Sequence, residues 1–141
     1  MIRLFIADVS GLDIDACLAS ISPQRREKTL RLKNDDDKRC SLGVELLLEK
    51  AAGRIDYALT ENGKPFFPDG GVYFSLSHCG KYAVCAVSGV PVGADIELAC
   101  DNALRLAERF FMPDEAALVE RSPTPEAEFC RLWTLKESYI K

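Results

Sequence analysis

Zinc-binding spacing is missing from this sequence. Its six cysteines form no C-x-x-C pair, and the single histidine, His78, stands beside Cys79. Structural zinc needs Cys and His ligands clustered at short intervals, so that class is excluded. No apolar run approaches the roughly 20 residues of a membrane-spanning helix. Met1 to Ala7 is apolar with one arginine, too short for a secretory leader. The unpaired cysteines then read as reduced thiols of a cytoplasmic protein. Neither a Walker A loop nor a Rossmann glycine fingerprint occurs, so any phosphate would be bound without a glycine-rich cradle. Repeats and low-complexity tracts are also lacking. A formal charge of −4 supplies no broad basic surface, which argues against nucleic acid as a partner.

What is present is ordinary globular material: 141 residues, 48% hydrophobic and 28% charged, enough for one compact domain or two small lobes. The charge is unevenly placed. Between Gln24 and Arg39 seven basic residues face four acidic ones. Such a local excess suits a small phosphorylated ligand better than a long polyanion.

Ile2 to Asp8 reads as an opening strand. Ser22-Pro23 is a helix start, with serine as N-cap and proline in the first turn. Asp35 to Asp37 can cap a second helix that carries Leu42, Leu46 and Leu47 at helical spacing and stops at Gly53. Asn62-Gly63-Lys64-Pro65 is a turn. Val72 to His78 alternates, with Phe74, Leu76 and His78 on one side and Tyr73, Ser75 and Ser77 on the other. Cys79-Gly80-Lys81 leads into a second strand over Tyr82 to Val87, and Pro91 to Leu98 reads as a third. From Asn102 the pattern is helical, with breaks at Pro113 and around Ser122-Pro123-Thr124-Pro125. Gly89-Val90-Pro91 is the most plausible lobe boundary.

Several of these residues can carry chemistry, each with a plainer alternative. Asp95 and Glu97 sit two apart, so in a strand both carboxylates share a face with roots roughly 7 Å apart. Magnesium, which takes hard oxygen ligands alongside a substrate's phosphates, would relieve their repulsion. A solvated edge strand explains the same spacing. Glu137 and Lys141 are i, i+4 neighbours one turn past Trp133, and could serve a carboxylate cluster and an anion. They could equally form a surface ion pair, with Trp133 as a core anchor. His78 is either a locally bonded strand-end residue or a phosphate contact. It does not form a nucleophilic pair with Ser77, because adjacent strand residues point to opposite faces. Arg25, Lys28 and Arg39 either face a phosphate or coat a solvated helix.

The order of these segments is more specific than any one of them. Gly63-Lys64-Pro65, Phe74-Ser75-Leu76-Ser77-His78, Val92-Gly93-Ala94-Asp95-Ile96-Glu97, Arg109-Phe110-Phe111 with Glu115, and Trp133-Thr134-Leu135-Lys136-Glu137-Ser138-Tyr139-Ile140-Lys141 together resemble the motif series of surfactin-type 4'-phosphopantetheinyl transferases. The early basic helix from Ile21-Ser22-Pro23 to Lys28 is similar as well. The resemblance implies an α+β fold, antiparallel sheet plus helices. It also implies transfer of the 4'-phosphopantetheine arm of coenzyme A to a serine of an acyl or peptidyl carrier protein, releasing adenosine 3',5'-bisphosphate. Asp95, Glu97 and Glu137 would then hold Mg2+, with Glu137 also taking the serine proton. Lys141 would bind the pyrophosphate. Arg25, Lys28, Arg39 and His78 would surround the 3'-phosphate, and Lys64, Pro65 and Ser77 would lie near the adenine.

Ser75, Cys79 and Ala94 depart from residues common in the family (asparagine, serine and a larger apolar residue), without touching the proposed chemistry. The family continues well beyond the last motif, whereas this chain ends on Lys141. That predicts one complete lobe over 1–90 and an incomplete pseudo-symmetric lobe over 91–141. The alternative to an active enzyme is an inactive fragment that binds coenzyme A or self-associates through the incomplete lobe.

Overall fold

The computed structural model describes residues 1–141, and its chain is built from helices and an antiparallel sheet as the α+β reading expects. Strand β1 (Ile2–Asp8) is followed by helices α1 (Ile14–Leu18), α2 (Pro23–Leu30) and α3 (Asp35–Ala52). Short strands β2 (Ala58–Leu59) and β3 (Pro65–Phe66) pair around the Asn62 to Pro65 turn, and the hairpin β4 (Tyr73–Cys79) and β5 (Tyr82–Ser88) follows. Helices α4 (Ala103–Phe110), α5 (Pro113–Arg121) and α6 (Pro125–Ile140) complete the chain.

The main sheet has the order β1-β5-β4, antiparallel throughout. β5 lies in the middle because it alone is small and apolar on both sides, reading Tyr-Ala-Val-Cys-Ala-Val-Ser. Its Ala83, Cys85 and Val87 join the cores under α3, around Leu48, Phe74, Val9 and Val44. Its Val84 and Ala86 face the opposite way and pack on Ala94. A separate core of Ala103, Ala107, Phe111, Val119 and Phe129 holds the last three helices together. Phe129 stacks on Trp133 with ring centroids 5.6 Å apart, so the tryptophan is a packing residue.

The helix ends follow local chemistry. Ser22 caps α2 by accepting from the Arg25 N–H at 3.2 Å, with Pro23 in the first turn. Gly53 ends α3 at φ 74°, a left-handed conformation that glycine adopts without a Cβ penalty. The cap of α3 is Asn34, however, and Asp35 to Asp37 fill its first turn. There the carboxylates favour the positive end of the helix dipole without making the capping bond. Helix α2 is almost wholly polar, and buried hydrogen bonds fix it to α3: Ser22 to Glu45 at 2.8 Å and Thr29 to Ser41 at 2.7 Å.

The expected third strand does not form. Residues 91–100 join no ladder and run along β4, whose side chains meet them. The Ser75 hydroxyl accepts from Ala94 N at 3.0 Å, Ser77 donates to Asp95 Oδ1 at 2.7 Å, and the Cys79 thiol reaches Glu97 Oε2 at 3.5 Å. The alternation of Val92, Ala94 and Ile96 reports burial against β5, which a period of two shares with a true strand.

The segment is also pressed against α6. A Cβ added at Gly93 would collide with the Ser138 carbonyl oxygen, a backbone atom that cannot swing aside. Gly93→Ala is therefore expected to destabilise the protein by about 1–3 kcal/mol in a denaturant titration, as overpacking does. Unchanged stability would mean that α6 does not seat on this segment.

Candidate functional site

Two neighbouring recesses lie between α2, the β2–β3 turn and the end of α6, sharing a wall at Gly63 and Pro65. The smaller, about 100 Å³, is walled by Gln24, Arg25, Lys28, Tyr57, Leu59, Gly63 and Pro65. The larger, about 490 Å³, shares Gly63 and Pro65, adds Lys64, Ser75 and Leu76, and ends at Ile140 and Lys141. Arg25 and Lys28 thus line the smaller recess, and Lys64 and Lys141 the larger. The turn that joins them follows from Gly63, whose φ of 78° reverses the chain ahead of Lys64.

At the α2 end the positive groups crowd each other. His78 titrates below its ordinary value through partial desolvation first and then the charges of Lys28 and Arg25, with Asp37 opposing them and Lys141 adding a smaller push. Lys28 is likewise lowered by desolvation and by Arg25. Lys28 and His78 are thereby destabilised as charges, and a phosphate between them would reverse the effect. Arg25 is anchored from behind, its Nε standing 3.7 Å from the carboxylate of Glu45, and its side chain is 10% exposed.

At the far end the tip of α6 meets the sheet through a buried carboxylate. The Asp95 side chain is 3% exposed and pairs with Lys141 through Oδ1. Lys141 Nζ also donates to Ser77 Oγ at 2.9 Å. Asp95 Oδ2, sealed from solvent, has no hydrogen-bond partner. A buried carboxylate oxygen without a donor is costly, and a cation or a ligand-borne donor would satisfy it.

The carboxylates do not form a ready cage. No group of three or more His, Cys, Asp or Glu side chains is assembled to hold a metal. Glu97 is exposed beside Cys79, and Lys141 pairs with Asp95 instead of Glu137, its neighbour one turn back. What fits magnesium is narrower: hard oxygen donors of the right type and one orphaned buried oxygen on Asp95. That is compatible with an ion bound by one or two carboxylates and completed by phosphate oxygens.

Of the residues singled out from sequence, Arg25, Lys28, Lys64, Pro65 and Lys141 line the two recesses. His78 is within electrostatic reach of Lys28, Arg25 and Lys141, and Ser77 bonds to Asp95 and Lys141. Arg39 stands apart, because its guanidinium is spent on Asp36 at 2.9 Å and on the Leu12 carbonyl at 3.3 Å. A local run of basic residues says nothing about which way each one points. Two participants were not anticipated: Glu45, fully buried, and Tyr57, which donates to it at 2.7 Å. Glu45 was detectable as the one acid inside the apolar stripe Leu42, Val44, Leu48.

Comparison with known proteins points to one family. The family model described as the 4'-phosphopantetheinyl transferase superfamily matches residues 91–141. A 4'-phosphopantetheinyl transferase of Bacillus subtilis is 34% identical over 144 residues, spanning 94% of this chain and 64% of its own length. The transferase Sfp of Bacillus subtilis strain 168 is 33% identical, spanning 88% of this chain and 60% of its own. The transferase gsp of Aneurinibacillus migulanus is 34% identical, with 87% and 56% spanned. The chain thus spans about three-fifths of the length of these curated relatives.

Proposed function

Given that this chain belongs to the 4'-phosphopantetheinyl transferase superfamily, we propose that it binds coenzyme A along the two recesses and transfers the 4'-phosphopantetheine arm to a carrier-protein serine. The observation that carries this reading is the pair of adjoining recesses, with Arg25 and Lys28 lining one and Lys141, paired with Asp95, lining the other. Coenzyme A has a matching layout: a 3'-phosphate on the nucleoside and a pyrophosphate beyond it.

In this reading Arg25, Lys28 and His78 take the 3'-phosphate, and Lys64 and Pro65 flank the adenine with Ser77 nearby. Arg39 belongs to the proposal only if it leaves Asp36. Lys141 shifts from Asp95 to the pyrophosphate and offsets the charge that builds during transfer. Glu137 takes the proton as the serine oxygen attacks the β-phosphorus. The bond from that phosphorus to the leaving adenosine 3',5'-bisphosphate breaks as the new one forms. Asp95, joined by Glu97 or Glu137, would hold magnesium, which when bound neutralises phosphate charge and orients the pyrophosphate. The division of labour follows the chain, with residues 1–90 serving the nucleotide and 91–141 the reacting end. We place the protein in the cytoplasm, with an apo acyl or peptidyl carrier protein as its partner; no helix is long and apolar enough to cross a membrane.

A labelled pantetheine arm should pass from coenzyme A to an apo carrier protein when magnesium is supplied. Asp95→Ala and Lys141→Ala should each lower the rate by about 10²-fold or more, as loss of one preorganised charge does. Transfer that is indifferent to both substitutions would refute the assignment.

One observation favours a second reading, self-association. Ile2, Leu4 and Ile6 are 61%, 57% and 59% exposed on one face of edge strand β1, beside a recess floored by Val84 and Ala86. An open apolar face on an edge strand invites another surface. Sedimentation should then reveal a dimer that Leu4→Lys disperses, and a strict monomer at high concentration removes this reading.

A further inference from the structure

Glu45 is completely buried in α3, where a carboxylate is expensive unless fully bonded. Its oxygens accept from Ser22 N at 2.8 Å, Ser22 Oγ at 2.8 Å and Tyr57 Oη at 2.7 Å. Arg25 completes the set as an ionic neighbour, its Nε sealed from solvent yet making no hydrogen bond of its own. These groups do more than fix α2 in place. Ser22 caps the helix and its backbone is held by Glu45, so the first turn that carries Arg25 is set by the same carboxylate. Tyr57 and Arg25 both also line the smaller recess.

We propose that Glu45 is a positioning residue for anion recognition: it holds Arg25 by the Nε side so that the rest of the guanidinium stays at the wall of the small recess. The inference rests on the reading of that recess as the 3'-phosphate end. A buried negative partner behind a phosphate-binding arginine orients the fork ahead of ligand arrival, so little side-chain freedom remains to be lost on binding. Thr29 and Ser41, the other polar pair between α2 and α3, give the helix a second attachment that survives loss of Glu45.

The test uses adenosine 3',5'-bisphosphate and adenosine 5'-monophosphate as probes in calorimetric titrations of the wild type, Glu45→Gln, Arg25→Ala and the double variant. The wild type should prefer the bisphosphate. Glu45→Gln should erode that preference roughly tenfold, on the scale of one close ion pair shielded from solvent. The double variant should lose no more than Arg25→Ala alone, and affinity for the monophosphate should hold. A preference retained in Glu45→Gln, or losses that add in the double variant, would overturn the positioning role while leaving the recess assignment standing. A wild type with no preference for the bisphosphate would sink the recess assignment, and this proposal with it. If Glu45→Gln does not fold, the Arg25 side-chain N–H resonance of the 15N-labelled wild type decides the matter, assigned by its loss in Arg25→Lys. Slow exchange with solvent before any ligand is added supports the proposal, and fast exchange contradicts it.

Discussion

The structure turns on a buried carboxylate with too few partners. Asp95 sits on a segment that makes no ladder of its own, tied to β4 by Ser75 and Ser77, and the oxygen that Ser77 bonds also pairs with Lys141. Through that one side chain the sheet, the crossing segment and the tip of α6 meet. Breaking such a pair leaves a charge in a low-dielectric setting, which is why it ties the two parts firmly. Its second oxygen stays unsatisfied, so the arrangement is stable enough to exist and incomplete enough to bind. Gly93 makes the approach possible, since any side chain there would push α6 away.

The opposite end shows the same logic with the sign reversed. Arg25, Lys28 and His78 lie close enough to depress the titration of the latter two, and the acid beside them, Glu45, is fully engaged behind the arginine. The protein therefore holds a carboxylate paired through only one oxygen near one recess and excess positive charge at the other. A molecule that carries phosphates at both ends, with a divalent cation at one of them, satisfies both deficits. Overall charge conceals this, because a net −4 is compatible with a strongly cationic recess.

How much was legible in the sequence follows from the range of the forces involved. Caps, turns and helix breaks are local, so Ser22, Gly53, Pro113 and the Pro123 to Pro125 region marked their elements correctly. The stretch Pro91 to Leu98 was misjudged, since alternate burial is the same whether a segment joins a strand's ladder or only runs along it. Glu137 and Lys141 have the spacing of a helical ion pair, but a buried carboxylate from a distant segment competes better for the lysine. The roles of Arg25 and Arg39 could not be separated along the chain. Only the fold shows that one turns to a recess and the other to Asp36.

The sole histidine makes the central claim directly measurable, because His78 gives a single unambiguous imidazole signal. Its titration by NMR should fall below the ordinary value of 6.5 in the free protein, as desolvation and the neighbouring cations require. Saturation with adenosine 3',5'-bisphosphate should move it upward, since an anion beside the ring favours the protonated form. An upward shift on binding means proton uptake, so affinity for the nucleotide should strengthen as the pH drops through that range. A His78 titration that the bound nucleotide leaves unmoved would contradict the account.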